Sequence, residues 1–197
     1  IDTVAPTNFT LTNSSNGEWT NTTVTLTAHA TDGGSGMGNW KHSIDSTTLS
    51  EVANSAGETY TKSPSTEKNS VYYFAACDSV GNCTDPLSTN VKIDKTKPEC
   101  NIDVTSGTEG DNDWYKSAEE FGIRQQSTSS GSPIASSVFT DNINSLSASG
   151  TVSATVTDEA GNSRTCSKTV KIDKDAPECT ITDNNSWTTS NVTVLYG

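Results

Sequence analysis

The stretch CDSVGNC, Cys77 to Cys83, recurs farther along as TDEAGNS, Thr157 to Ser163, with the Asp-x-x-Gly-Asn turn kept and both cysteines gone. Asp caps backbone N–H groups, and Gly and Asn tolerate a left-handed backbone, so this order of residues marks a tight turn. A turn kept without its cysteines belongs to a repeated fold rather than to a metal or redox motif. Around it, IDTVAP (Ile1 to Pro6) returns as IDKTKP (Ile93 to Pro98) and IDKDAP (Ile172 to Pro177), at periods of 92 and 79 residues. Val91-Lys92 and Val170-Lys171 precede the second and third copies, and Trp19, Trp114 and Trp187 follow the three prolines. Recurrence of this kind is the signature of a repeat architecture.

Between these markers Val, Thr and Leu alternate with other residues, as in TNTTVTLTAHATD after Trp19, which is the period of a half-buried strand. Strands are predicted near 7–13, 22–31, 39–45, 49–53, 58–62, 70–77 and 86–93, punctuated by Gly, Asn, Ser and Pro. Short strands at such intervals predict an all-β fold of Greek-key β-sandwiches. One repeat is expected over 1–92, a second over 93–171, and the truncated start of a third over 172–197. In the second, SAEEFG (Ser117 to Gly122) takes the place of a strand and STSSGSP (Ser127 to Pro133) reads as a loop.

Composition removes several functions. With 24 acidic and 12 scattered basic residues and a formal net charge of −12, the chain lacks the clustered Lys and Arg that meet a phosphate backbone, so no nucleic-acid partner is expected. It contains no apolar run of about 18 residues, so no membrane segment is expected within it. Nucleophile-elbow, zinc-protease and phosphate-loop motifs are all missing, and catalysis is not expected.

Five cysteines could serve zinc, redox chemistry or disulfides. Zinc favours Cys pairs two to four residues apart that converge with others or with His. Here His29 and His42, the only histidines, lie far from any Cys pair. A redox centre uses C-x-x-C at a helix start, which is absent. Aligning the two turns sets Cys77 against Thr157 and Cys83 against Ser163, so that pair is lost together. Aligning Pro98 with Pro6 sets Cys100 against Asn8, and Cys166 falls opposite Asp85 or Pro86, so that pair is also lost together. Cysteines that come and go in couples are bonded in couples: Cys77–Cys83 and Cys100–Cys166. Chain-entropy arithmetic gives roughly 2.4 kcal/mol for the short ring and roughly 4.4 kcal/mol for the long one. Cys179 stands in PEC as Cys100 does, and its partner is expected beyond Gly197. Disulfides imply an oxidising compartment, extracellular or at the cell surface.

The order ID-x-x-x-P, W-T-N-x-x-V-T-L, D-x-x-S-G and D-x-A-G-N resembles bacterial Ig-like repeats of large cell-surface, adhesin-type proteins. The residues that carry the resemblance are Ile1, Asp2 and Pro6, Trp19 to Leu26, TDGGSG at Thr31 to Gly36, and DSVGN or DEAGN. The second repeat lacks the D-x-x-S-G element. The resemblance implies tandem Ig-like sandwiches in which the N-terminus and the BC and FG loops share one pole. Asp2, Asp32 and Asp78 would then gather above the first repeat, and Asp94 and Asp158 at the junction between repeats. Oxygen ligands of this kind suit calcium, which stiffens linkers in similar adhesins; the other reading is that these Asp side chains only cap turns. Asn82 and Asn162 are expected to be turn formers. Trp40, Tyr72 and Tyr73 occur once each in the repeat frame and are the candidates for a ligand surface, with core packing as their other use. The expected function is that of a stalk or spacer, non-catalytic, that presents a distal adhesive or enzymatic domain, with neighbouring repeats as partners. The alternatives are a module that binds a glycan or host surface protein, and an accessory region of a polysaccharide-degrading enzyme.

Overall fold

The computed structural model describes residues 1–116, 119–126 and 131–180. Trp187 and the strand expected after it lie outside the described residues, as do Ser117, Ala118 and Ser127 to Ser130. The chain is built of β-strands in two successive sheet pairs. The first unit comprises β1 (Thr7–Asn13), β2 (Trp19–Thr20), β3 (Leu26–Thr31), β4 (Lys41–Ile44), β5 (Ser50–Glu51), β6 (Thr59–Lys62), β7 (Lys68–Ala75) and β8 (Leu87–Ile93). The second comprises β9 (Glu99–Ser106), β10 (Trp114–Tyr115), β11 (Glu119–Gln126), β12 (Ile134–Phe139), β13 (Ser145–Leu146), β14 (Gly150–Asp158) and β15 (Ser163–Ile172).

In the first unit the sheet β1-β3-β6 lies against β2-β8-β7-β4-β5; in the second, β9-β11-β13 lies against β10-β15-β14-β12. The two orders correspond strand for strand, apart from β5, and this is an Ig-like Greek-key sandwich. Each core draws on both of its sheets. Leu26, Ala28 and Ala30 point inward from β3, between outward Thr27, His29 and Thr31, and meet Tyr72 and Phe74 of β7. In the second unit Val152 and Ala154 of β14 meet Ile102 and Phe121 of β9 and β11. The outward residues of β14 and β15 pair as hydroxyls: Thr151 with Thr169, Thr155 with Thr165, Thr157 with Ser163. Alternation of β-branched apolar and hydroxyl residues thus fixes which face each strand buries.

The strand expected over 22–31 starts only at Leu26, and β2 is a separate segment. Trp19 and Thr20 pair in parallel with Lys92 and Ile93, and Trp114 and Tyr115 pair likewise with Lys171 and Ile172. The recurring tryptophans therefore mark the point where an early segment clips onto the last strand of its unit.

Trp40 and Tyr72 are corrections to the expected ligand surface. They are 0% and 1% exposed and sit in the first core, where the Trp40 ring stacks on Tyr60 and tilts against Phe9. Tyr73 points to the opposite face of β7 from Tyr72 and is half-buried. His42 shares the core-facing side of β4, between the rings of Tyr72 and Phe74. Its Nε2 is buried with no partner among the described residues. Burial, reinforced by the Lys62 charge, holds the imidazole below its ordinary value of 6.5. The unfolded chain therefore takes up the proton first: this contribution to stability is complete above 6.5 and is lost as pH falls from there through the folded value. The wild type's stability to denaturant is expected to fall as pH drops below about 6.5, and His42→Phe should flatten that slope.

Candidate functional site

The bonds Cys77–Cys83 and Cys100–Cys166 are both present, with Cα–Cα separations of 4.1 and 5.6 Å. The first staples the base of the turn between β7 and β8. The second ties the first strand of its sandwich, β9, to the last, β15. Cys179 is exposed and unbonded.

The turn that Cys77 and Cys83 close is built on Asp78. Its Oδ1 accepts the N–H groups of Val80, Gly81 and Asn82 at 3.0, 2.6 and 2.8 Å, and its Oδ2 accepts the Asn82 amide at 2.6 Å. That amide also reaches back to the carbonyl of Asp2 at 3.3 Å. Asp2 in turn accepts Val4 N–H at Oδ1 and Ser35 N–H at Oδ2. Asp32 accepts Gly34 N–H and Gly36 N–H. One oxygen from each of Asp2, Asp32 and Asp78 lies within 4.8 Å of the others. Backbone N–H bonds from Val4 and Ser35 hold the Asp2 carboxyl below its ordinary value. Burial pushes Asp78 up, but the Asn82 amide and the three turn N–H groups outweigh it, and the carboxyl also ends below the ordinary value.

Gly38 shows how closely the loops pack here. A Cβ on it would stand 2.2 Å from the Asp78 carbonyl oxygen, so the loop between β3 and β4 can lie on the β7–β8 turn only with glycine at that position.

The junction between the units repeats this network. Asp94 Oδ1 accepts Thr96 N–H at 2.9 Å, as Asp2 accepts Val4. Its Oδ2 accepts both N–H and O–H of Ser132, at 2.6 and 3.1 Å. The Asn162 amide bridges the Asp94 carbonyl and Asp158 Oδ2, each at 2.9 Å. Asp94, Asp158 and Ser132 are 3%, 3% and 1% exposed. The Asp94 N–H, meanwhile, donates to the Thr20 carbonyl of the first unit at 3.0 Å. Glu67, also of the first unit, accepts Lys95 N–H at 3.1 Å and the Thr96 hydroxyl at 2.5 Å. Opposite them, Gly161 comes within reach of the Asn21 amide.

Three of these roles were missed in the sequence. Ser132 takes the place of Ser35, so Gly131-Ser132-Pro133 is the second unit's version of the D-x-x-S-G loop without its aspartate. Asn82 and Asn162 are not only turn formers, since each side chain reaches back to the first aspartate of its unit. The readable signal was the fixed interval of four residues from Asp78 to Asn82 and from Asp158 to Asn162.

Chemically the two poles differ. Three facing carboxylates form the kind of oxygen set that suits a hard cation. At both poles backbone N–H groups and an Asn amide occupy carboxylate oxygens. The junction differs in that Ser132 stands without a counterpart of Asp32, which leaves two carboxylates there, Asp94 and Asp158.

Among solved structures, the fibronectin(III)-like modules of Clostridium thermocellum CbhA are similar to this chain, with 14% sequence identity and a TM-score of 0.38 over 83% of this chain and 95% of that chain. No protein-family model matches the chain, and no curated protein matches it.

Proposed function

We propose that the chain is a non-catalytic spacer from a bacterial secreted or surface-anchored protein, an array of Ig-like repeats that holds a distal adhesive or enzymatic domain at a distance. In this reading the repeats run over 1–92 and 93–171, a third starts within 172–197, and the partner of each repeat is its neighbour in the chain. The joint at Asp94 carries the reading. Ile93 belongs to the first core at 1% exposure, and the next residue is 3% exposed in the pole of the second unit. No free linker residue stands between them, and bonds from Thr20 and Glu67 on one side and Ser132 on the other restrain the Asp94–Thr96 segment. Two disulfides support an oxidising, extracellular location. Calcium enters the reading at the first pole alone, at Asp2, Asp32 and Asp78. A glycan- or host-protein-binding role has lost Trp40 and Tyr72 to the core.

Residual dipolar couplings collected from both units of the whole chain test this directly. One common alignment tensor is expected for the wild type. Asp94→Ala strips the acceptor from Ser132 and Thr96, and should split the alignment in two and cost the second unit about 2 kcal/mol. Two independent tensors in the wild type would overturn the spacer reading.

A further inference from the structure

The far end of the second unit carries half of the same joint. Asp173 N–H donates to the Tyr115 carbonyl at 3.0 Å, as Asp94 N–H does to Thr20. Asp175 N–H donates to Asp173 Oδ1 at 2.9 Å, as Thr96 does to Asp94. The backbone of the aspartate is thus held by the preceding unit, and its side chain by its own turn, as at Asp94. What Asp94 receives from the next unit has no counterpart among the described residues. Asp173 is exposed where Asp94 is buried, and Trp114 is 42% exposed where Trp19 is half-buried. Beside them opens a cavity of about 540 Å³ lined by Gly110, Trp114, Tyr115, Asp173 and Pro177.

The geometry points to this end as a docking face for the pole of another Ig-like unit, and it specifies the donors that such a pole must bring. A serine-type residue must offer N–H and O–H together to Asp173 Oδ2, as Ser132 does to Asp94. An Asp-x-x-Gly-Asn turn must bring its Asn amide to the Asp173 carbonyl. The glycine of that turn must lie over Lys116, which stands where Asn21 stands in the first unit. The occupant is a unit in the same chain that starts at Asp173, and this rests on the repeat reading above. The recognition is polar and backbone-directed, so it selects the turn rather than any one surface side chain.

The test uses a chain in which residues 179–197 are exchanged for a copy of residues 100–172, which leaves Asp173 to Glu178 in place. Trp114 is followed by fluorine NMR with 5-fluorotryptophan, read as the solvent isotope shift. In the longer chain Trp114 should lose at least half of its solvent shift, and Asp173→Ala in that chain should restore it while the first joint stays aligned. A copy that forms its own disulfide yet leaves Trp114 as exposed as before overturns the inference. If the first joint is rigid and the added unit tumbles freely, docking fails and the spacer reading stands. If both joints are free, the spacer reading fails as well.

Discussion

Replacing Cys100 and Cys166 together by alanine is expected to remove about 4 kcal/mol from the second unit, and to leave it largely unfolded at ambient temperature. The bond spans a sequence separation of 66 residues, against 6 for Cys77–Cys83. It therefore withdraws far more freedom from the unfolded chain, and the short ring is worth about 2 kcal/mol. The cores widen this difference. The first buries Trp40, Tyr72 and Phe74 together, whereas the buried cluster of the second has Phe121 as its one aromatic among the described residues. Each buried aromatic removes about 150–250 Å² from water, so the second unit has less burial to set against its chain entropy. Hydrogen exchange resolved by strand reads the outcome: β14 and β15 should lose protection while β3 and β7 keep theirs. Equal loss in both units, or none, would refute this division of labour.

Trp40→Ala is expected to cost the first unit about 4 kcal/mol. The indole is fully buried between Phe9 and Tyr60, and its Nε1–H donates to the Gly57 carbonyl at 2.9 Å. Truncation opens a cavity at the centre of the sandwich and leaves that carbonyl without its donor. Trp40→Phe keeps most of the volume and loses the bond, and should cost roughly half as much. Urea titrations of the two variants separate the contributions. A ligand-surface tryptophan would behave in the opposite way, with stability unchanged on truncation.

That tryptophan shows where the sequence could mislead. Recurring positions are those that every unit needs, such as the clip at Trp19 and Trp114. Trp40 and Tyr72 recur nowhere because the first unit fills its interior with several large rings, whereas the second packs Val, Ile and Ala around Phe121, its single buried ring among the described residues. Absence from the repeat frame therefore marked a difference in core volume rather than an exposed surface. Strand positions were legible because Leu26, Ala28 and Ala30 alternate with Thr27, His29 and Thr31, a pattern only a two-faced strand produces. The cysteine couples were legible because loss of one bonded cysteine removes the reason for the other. Ser132 was not, since the D-x-x-S-G pattern pairs its serine with an aspartate, whereas the second unit retains only the hydroxyl and the N–H. The reach of Asn162 to Asp94 escaped as well, because a turn-forming Asn and a bridging Asn occupy the same position after Gly.

The two-residue parallel clips of β2 on β8 and β10 on β15 set how a stretched chain would resist. Each unit receives the chain at the pole of its Asp-x-x-Gly-Asn turn and releases it from the other end of its last strand, at Asp94 or Asp173. Tension between those points slides β8 along β2 and β15 along β10, so their hydrogen bonds are loaded in shear and must fail together rather than open one by one. The disulfide from β9 to β15 lies across the same path in the second unit. The unit with the poorer core is thus the one whose first and last strands cannot be drawn apart.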